Sequence, residues 1–456
     1  MMRTPTATAL AAALALAVPF DAAPVDAAPA DAAPPLTACV PAVTTCPVWS
    51  DLYDGPPGLS DWAMASAMDR PGRSMYVAGW STPNSTSVDA VVVGYDAATG
   101  VRKWTASQRG VDGLPVAVWS TVQATPDGGT VLAAGTSYSS EKCRVVVTAY
   151  DGRTGNPRWS APQPVGPAPC EYYTQSALAP DGRTFYVTTD TAVPATGGEK
   201  IRNGLTLAFD SATGRRLWAT RTTGPTQNWQ VTTAPDGRRV YVVGDVIEPG
   251  GIQSVGWRVY GYDARTGREL WRSSYACARN YGSAAPVQER PSRYCSMPTG
   301  LAATADRVFI EGSNAFGWAV TQVAAFDGRT GRALWHADRD PLRSFVYLNR
   351  ALVVTADGRG VVAGRVRLDA TGVEPPQFVV ERLTAATGAV EWTRAVAGNT
   401  HSMAYCGGCG PVLGTDGSRQ VFVTGAYPLG DSILTTAGVD LRTGTVAWSA
   451  QHVWHA

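Results

Sequence analysis

Short apolar runs recur along the chain, each bounded by tight-turn residues and none spaced at a helical period. Met75-Tyr-Val-Ala-Gly79, Val131-Leu-Ala-Ala-Gly135, Phe185-Tyr-Val-Thr-Thr189, Val240-Tyr-Val-Val-Gly244 and Val308-Phe-Ile-Glu-Gly312 are of this kind. Pro126-Asp-Gly128, Pro180-Asp-Gly182 and Pro235-Asp-Gly237 precede three of them. In such a turn Pro presets φ, Asp bonds its own backbone and Gly takes a positive φ. A second apolar run follows each first one, as in Val145-Val-Val-Thr-Ala-Tyr150, and a shorter one precedes the turn, as in Thr121-Val-Gln-Ala-Thr125. The pattern predicts antiparallel strands throughout and no helix.

The second run always ends in one motif. It reads Tyr150-Asp-Gly-Arg-Thr-Gly-Asn-Pro-Arg-Trp159, with copies ending at Trp104, Trp218, Trp271, Trp335, Trp392 and Trp448. Successive Trp residues lie 55, 59, 53, 64, 57 and 56 residues apart. Four short strands at this period predict an all-β fold, a seven-bladed β-propeller of four-stranded antiparallel blades. Trp49, in Cys46-Pro-Val-Trp-Ser-Asp-Leu-Tyr-Asp54, lies 55 residues before Trp104 and leaves eight blades as the alternative. A lone four-stranded sheet has two bare faces. The Trp ring is therefore expected to bridge each blade to the next, with Asp, Thr and Gly reversing the chain ahead of it.

The motif Ala/Gly-x-Asp-x-x-Thr-Gly-x-x-x-Trp resembles the tryptophan-docking repeat of the quinoprotein (PQQ-type) β-propeller superfamily. The resemblance covers essentially all of residues 36–456, with one departure, Thr384 in place of Asp. It implies a choice between two kinds of relative. Dehydrogenases of the superfamily hold PQQ over the propeller axis with Ca²⁺, an acidic base and often a disulfide between adjacent cysteines. Other members carry the same repeat and bind no cofactor. This chain has no Cys-Cys dipeptide, and Cys406-Gly-Gly-Cys409 is followed by Gly410, so it is not a c-type haem site.

The N-terminus changes the compartment. Arg3 followed by the apolar stretch from Ala9 to Val18 reads as a secretion signal, too short to span a bilayer. The Ala/Pro/Asp tract from Asp21 to Pro35 has nothing to bury, so residues 1–35 are expected to be leader and residues 36–456 the propeller. Eight cysteines suit an exported protein. Their simplest pairing is local: Cys39 with Cys46, Cys143 with Cys170, Cys277 with Cys295, and Cys406 with Cys409. Leu36-Thr-Ala-Cys39 also resembles a lipobox, but the Pro-rich tract separates it from the apolar stretch. A formal net charge of +1 calls for no nucleic-acid or anionic-membrane partner.

Candidate chemistry is sparse. His336, His401, His452 and His455 show no metal-ligand spacing, and the chain has no G-x-S-x-G, H-E-x-x-H or P-loop. Cys406 and Cys409 read as a structural loop disulfide, because nothing places them at a helix N-terminus where a dithiol is activated. Counting back seven or eight residues from each turn aspartate gives Trp62, Trp119, Tyr173, Trp229, Pro298, Asn349 and Gly408. The four aromatic members are the candidate ligand-binding residues of a channel rim, fit for a sugar, a peptide or a partner's loop. The competing assignment packs those rings against neighbouring inner strands. The sequence therefore reads as a secreted, monomeric, non-catalytic propeller that binds or scaffolds a protein or small molecule without cofactor or metal. A PQQ/Ca²⁺-dependent alcohol or sugar dehydrogenase is the alternative.

Overall fold

The computed structural model describes residues 53, 55, 61–167, 174–194, 200–222, 226–247, 254–276, 295–314, 319–345, 352–367, 377–397, 412–415, 419–427 and 432–454. The leader, Trp49 and the cysteines at 39, 46, 170, 277, 406 and 409 lie outside them. Among the described residues, seven four-strand units follow one another, spanning 61–108, 116–167, 175–221, 226–276, 295–345, 352–397 and 412–454. The first unit pairs Asp61–Met68, Ser74–Asn84, Ser87–Asp96 and Arg102–Gln108 in sequence order, all antiparallel. First strands of successive units lie beside one another, so they form the inner wall and the fourth strands the outer one. This is a β-propeller. Its helical content among the described residues is one 3-10 turn, Val111–Gly113.

The hydrophobic core is divided into slices between neighbouring sheets. Leu132, Val145 and Val147 of the second unit meet Phe185, Val187 and Leu207 of the third. Val243 and Val259 of the fourth meet Val308 and Ile310 of the fifth. Alternation along each strand sends one set of side chains to each neighbour, which is why these strands are apolar on both faces.

Turn chemistry repeats with the units. Asp96 Oδ1 accepts hydrogen bonds from the backbone N–H of Ala98 (3.2 Å) and Thr99 (3.0 Å) and from the Thr99 hydroxyl (3.0 Å). Asp151, Asp210, Asp327 and Asp440 accept the same set from the residues two and three positions on. Donors aimed at a carboxylate favour its charged form, and each of these carboxyls is held below the usual aspartate range. Asp151 falls lowest, to about 2, chiefly through the Arg158 guanidinium at 2.7 Å. At the deviant sixth turn the Thr384 hydroxyl meets the Thr387 hydroxyl at 2.6 Å, and Gly388 N–H still donates to the Thr384 carbonyl at 2.9 Å. A neutral hydroxyl holds backbone donors less strongly than a carboxylate.

A prediction follows for acid stability. Folded-state values below the unfolded ones mean a contribution fully present above about pH 4 and lost as pH falls towards 2. Thr384→Asp should add about 1 kcal/mol at pH 7, and that gain should vanish across the same acid window. Urea unfolding of both proteins at pH 7 and near pH 2 measures it. An unchanged or lowered midpoint at pH 7 would contradict this account of the turn.

Candidate functional site

Among the described residues, the seams between units gather recurring side-chain contacts. In every unit the third and fourth strands shift register one residue before the repeat Trp, as where Gly94 faces Trp104 but Tyr95 faces Arg102. The extra residue is a β-bulge, and it kinks the outer strand beside the indole. Six of the seven third-strand residues opposite Trp are Gly or Ala, giving the ring a shallow floor. The other face of the ring meets the turn glycine of the next unit. A Cβ on Gly267, whose φ is +70°, would come within 2.6 Å of the Trp218 ring. That glycine supplies both a left-handed turn and room for an aromatic face.

The indole N–H completes the joint. Trp218 Nε1 donates to the Ala264 carbonyl at 2.9 Å, the residue after the turn aspartate of the next unit. Trp104, Trp159, Trp271, Trp335 and Trp392 donate in the same way to Gly152, Ser211, Gly328, Ala385 and Leu441, at 3.1 to 3.2 Å. Two further groups escaped the sequence reading. Tyr76, Tyr186 and Tyr241, on second strands, aim hydroxyls at the carbonyls that Trp104, Trp218 and Trp271 use. Their rings lie 5.8 to 5.9 Å from those indoles. Burial pushes the hydroxyls of Tyr186 and Tyr241 up to about 12, so they remain protonated donors at neutral pH. Two residues past Trp, Thr220, Ser273 and Arg394 donate to the carbonyl of the next turn glycine. The signal was present as a Tyr at fixed distance after the first turn, but only the fold shows its target.

The inner wall holds the candidate rim residues. First strands bulge where a second-strand glycine stands opposite: Ala63 faces Gly79, Trp119 faces Gly135, Asn228 faces Gly244 and Pro298 faces Gly312. A side chain on Gly135 would strike the Val118 carbonyl. Measured from these glycines, Trp62 lies one step ahead of Trp119, and one step in a strand reverses the face. Trp119 is 1% exposed and packed with Trp104 and Tyr150 between the first two units. It is a core ring, and an aromatic rim does not include it. Trp62 is 52% exposed and stacks on Trp80 at 5.8 Å with the planes 10° apart. Met64 and Met68 of the same strand are exposed as well. Trp229 is the bulge residue of its strand, and Tyr173, Asn349 and Gly408 lie outside the described residues. Cys143 is buried in the seam between units two and three.

The family described as "Outer membrane protein assembly factor BamB" matches residues 65–168 and 202–451, well over half of the chain. The chain belongs to this BamB-like family of PQQ-type repeat propellers. BamB from Moraxella catarrhalis is similar in structure at 16% identity, covering 80% of this chain and 83% of that one, with a TM-score of 0.47. Quinohemoprotein alcohol dehydrogenase from Comamonas testosteroni is similar at 14% identity over 78% of this chain and 61% of that one, TM-score 0.44. Sqt1 from Chaetomium thermophilum, solved bound to the N-terminus of the ribosomal protein L10, shares 10% identity over 87% and 88%, TM-score 0.49. No curated protein sequence matches the chain. Likeness at these identities is one of architecture.

For this BamB-like chain the seams give a graded prediction. Trp218→Phe removes an N–H whose acceptor is also served by Tyr186, whereas Trp335→Phe removes one in a unit where Phe309 brings no hydroxyl. An abandoned buried carbonyl costs about 1–3 kcal/mol, so Trp335→Phe should destabilise by about 1 kcal/mol more than Trp218→Phe. Equal losses in denaturant unfolding would refute the shared-acceptor account.

Proposed function

We propose that this protein is an exported, monomeric, non-catalytic propeller of seven blades that binds or scaffolds a partner. Residues 36–456 carry the fold and residues 1–35 act as a removable leader. The observation that carries the reading is Trp62, exposed with Met64 on the inner strand of the first unit and stacked on the half-buried Trp80 of the second strand. An exposed cluster of large apolar side chains marks a contact surface. Stacked rings with flexible methionines suit a loop or extended peptide of another protein, which supplies apolar side chains and no fixed charge. The family description, an assembly factor, names a role of this kind. The repeat residues support it indirectly: in the first five motifs the Asp and Thr side chains are engaged in the turn and the Trp in the seam.

Export is supported by the signal-like N-terminus and by the eight cysteines, which suit an oxidising compartment. Cys143 is 2% exposed, and a bridge to Cys170 is the pairing we favour. A PQQ/Ca²⁺ dehydrogenase is the second reading, and it rests on the superfamily resemblance.

Panning a random-peptide phage library against the protein tests the binding surface. Enriched peptides should lose at least about tenfold in affinity with Trp62→Ala, while the melting temperature stays within the small range of surface substitutions. Enrichment indifferent to Trp62 would sink this surface. Incubation with PQQ and Ca²⁺, followed by alcohols, sugars and an artificial electron acceptor, tests the second reading. No turnover is expected, and robust turnover would replace the non-catalytic assignment.

A further inference from the structure

We infer that the turn end of the propeller is a docking surface for an anionic lipid bilayer. Antiparallel strands bring two turns of each unit to the same end, the one between first and second strands and the one between third and fourth. A backbone bond ties the pair together in every unit. Ser211 N–H donates to the Arg183 carbonyl and Ala264 N–H to that of Arg238, both at 3.0 Å, and Ala385 N–H to that of Arg359 at 2.7 Å. Each repeat Trp from Trp104 to Trp392 then reaches the turn of the next unit, so these turns share one face of the molecule.

That face is rich in exposed cations. Over the first-to-second turns, and over the third-to-fourth turns up to each repeat Trp, seventeen Arg and Lys side chains are exposed among the described residues, against six Asp and Glu. Asp96, Asp151, Asp210, Asp263, Asp327 and Asp440 are half-buried there, each with Oδ1 turned onto the backbone N–H and Thr hydroxyl of its own turn. Arg183, Arg238, Arg265 and Arg329 stand exposed on three successive units. The net charge of +1 conceals this arrangement, since it sums over the chain what the fold sorts by place.

A guanidinium donates paired hydrogen bonds to phosphate oxygens, so charge complementarity calls for a partner bearing phosphates. Apolar side chains decide which one. Of the seven large hydrophobic side chains exposed among the described residues, Met68, Val101, Leu217, Leu270 and Val390 flank these turns. Met68 lies against the Gly72 turn, Val101 follows Gly100, and Leu217 and Leu270 directly precede Trp218 and Trp271. A soluble polyanion leaves such groups in water. A bilayer takes cations at its phosphates and aliphatic side chains at the headgroup boundary. The cations are also spread over unit after unit instead of lining one groove, which matches a flat partner. Trp62 stands six residues before Met68 on the same strand. At the rise of a strand that is about 20 Å, which keeps the exposed ring clear of the lipid.

Co-sedimentation of the full chain with vesicles tests the assignment. Vesicles mixed from phosphatidylcholine and phosphatidylglycerol should bind at least about tenfold more strongly than phosphatidylcholine alone. Salt at about 1 M, where the screening length is about 3 Å, should release most of the protein. Arg183→Gln, Arg238→Gln, Arg265→Gln and Arg329→Gln combined should weaken binding at least about tenfold with the melting temperature unchanged. Met68→Ser with Val101→Ser should weaken vesicle binding about tenfold and leave any binding of inorganic polyphosphate as it was. No preference for anionic vesicles, or binding indifferent to the four arginines, overturns the docking surface. Capture of polyphosphate without capture of vesicles gives the face to a soluble polyanion and overturns the lipid assignment.

Discussion

An indole N–H reaching across a seam to a backbone carbonyl is the contact on which this architecture depends. The four-stranded units satisfy their own backbone hydrogen bonds, so nothing in the ladders joins one unit to the next across most of their area. Apolar slices supply the bulk of the attraction, but such burial is non-directional and tolerates sliding. The Trp–carbonyl bond, made on a ring held between a small third-strand residue and a left-handed glycine, fixes where one sheet sits on another. At most seams four things meet there: a bulge beside the ring, a Gly or Ala floor, a turn without a Cβ, and the carbonyl after an Asp-capped turn.

The sixth unit shows how closely these requirements are linked. Three features depart there together. Thr384 replaces the turn aspartate, Arg382 replaces the small floor residue, and the second strand runs Val361-Val-Ala without an aromatic ring. Arg382 resolves the combination. It donates to the Leu441 carbonyl at 2.8 Å, the acceptor that Trp392 also uses, and pairs with Glu391 at 2.8 Å on the neighbouring strand. A guanidinium with its partner thus performs the work that a tyrosine hydroxyl does in the first, third and fourth units.

Because the repeat residues are consumed in holding the ring, membership of the BamB-like family fixes architecture and leaves activity to other positions. The positions free to act are those the repeat does not constrain, the inner-wall residues and the loops between units. Trp62 and Trp80 belong to this set. Trp62 departs from the repeat, since Val118, its counterpart in register on the next inner strand, is buried.

Periodicity, the turn residues and the invariant Gly-to-Trp spacing were enough to read strands, units, turn geometry and the docking role of Trp directly from the chain. These are local or strictly repeating features, and a period of two with Gly at fixed offsets leaves little freedom. Register was decided only in three dimensions. Trp62 and Trp119 look equivalent when counted from their turn aspartates, yet Asp69 holds the turn position of Thr125 rather than of Asp127, so that against Gly79 and Gly135 the two rings stand one residue, and therefore one face, apart. The shared carbonyl acceptors, the Trp-plus-two donors and the Arg382 substitution were likewise invisible, because each joins groups 46 to 87 residues apart through contacts that exist only once the sheets are stacked. A turn aspartate displaced by two positions leaves no composition signal, so strand order follows from the sequence while the direction of each inner ring follows from the fold.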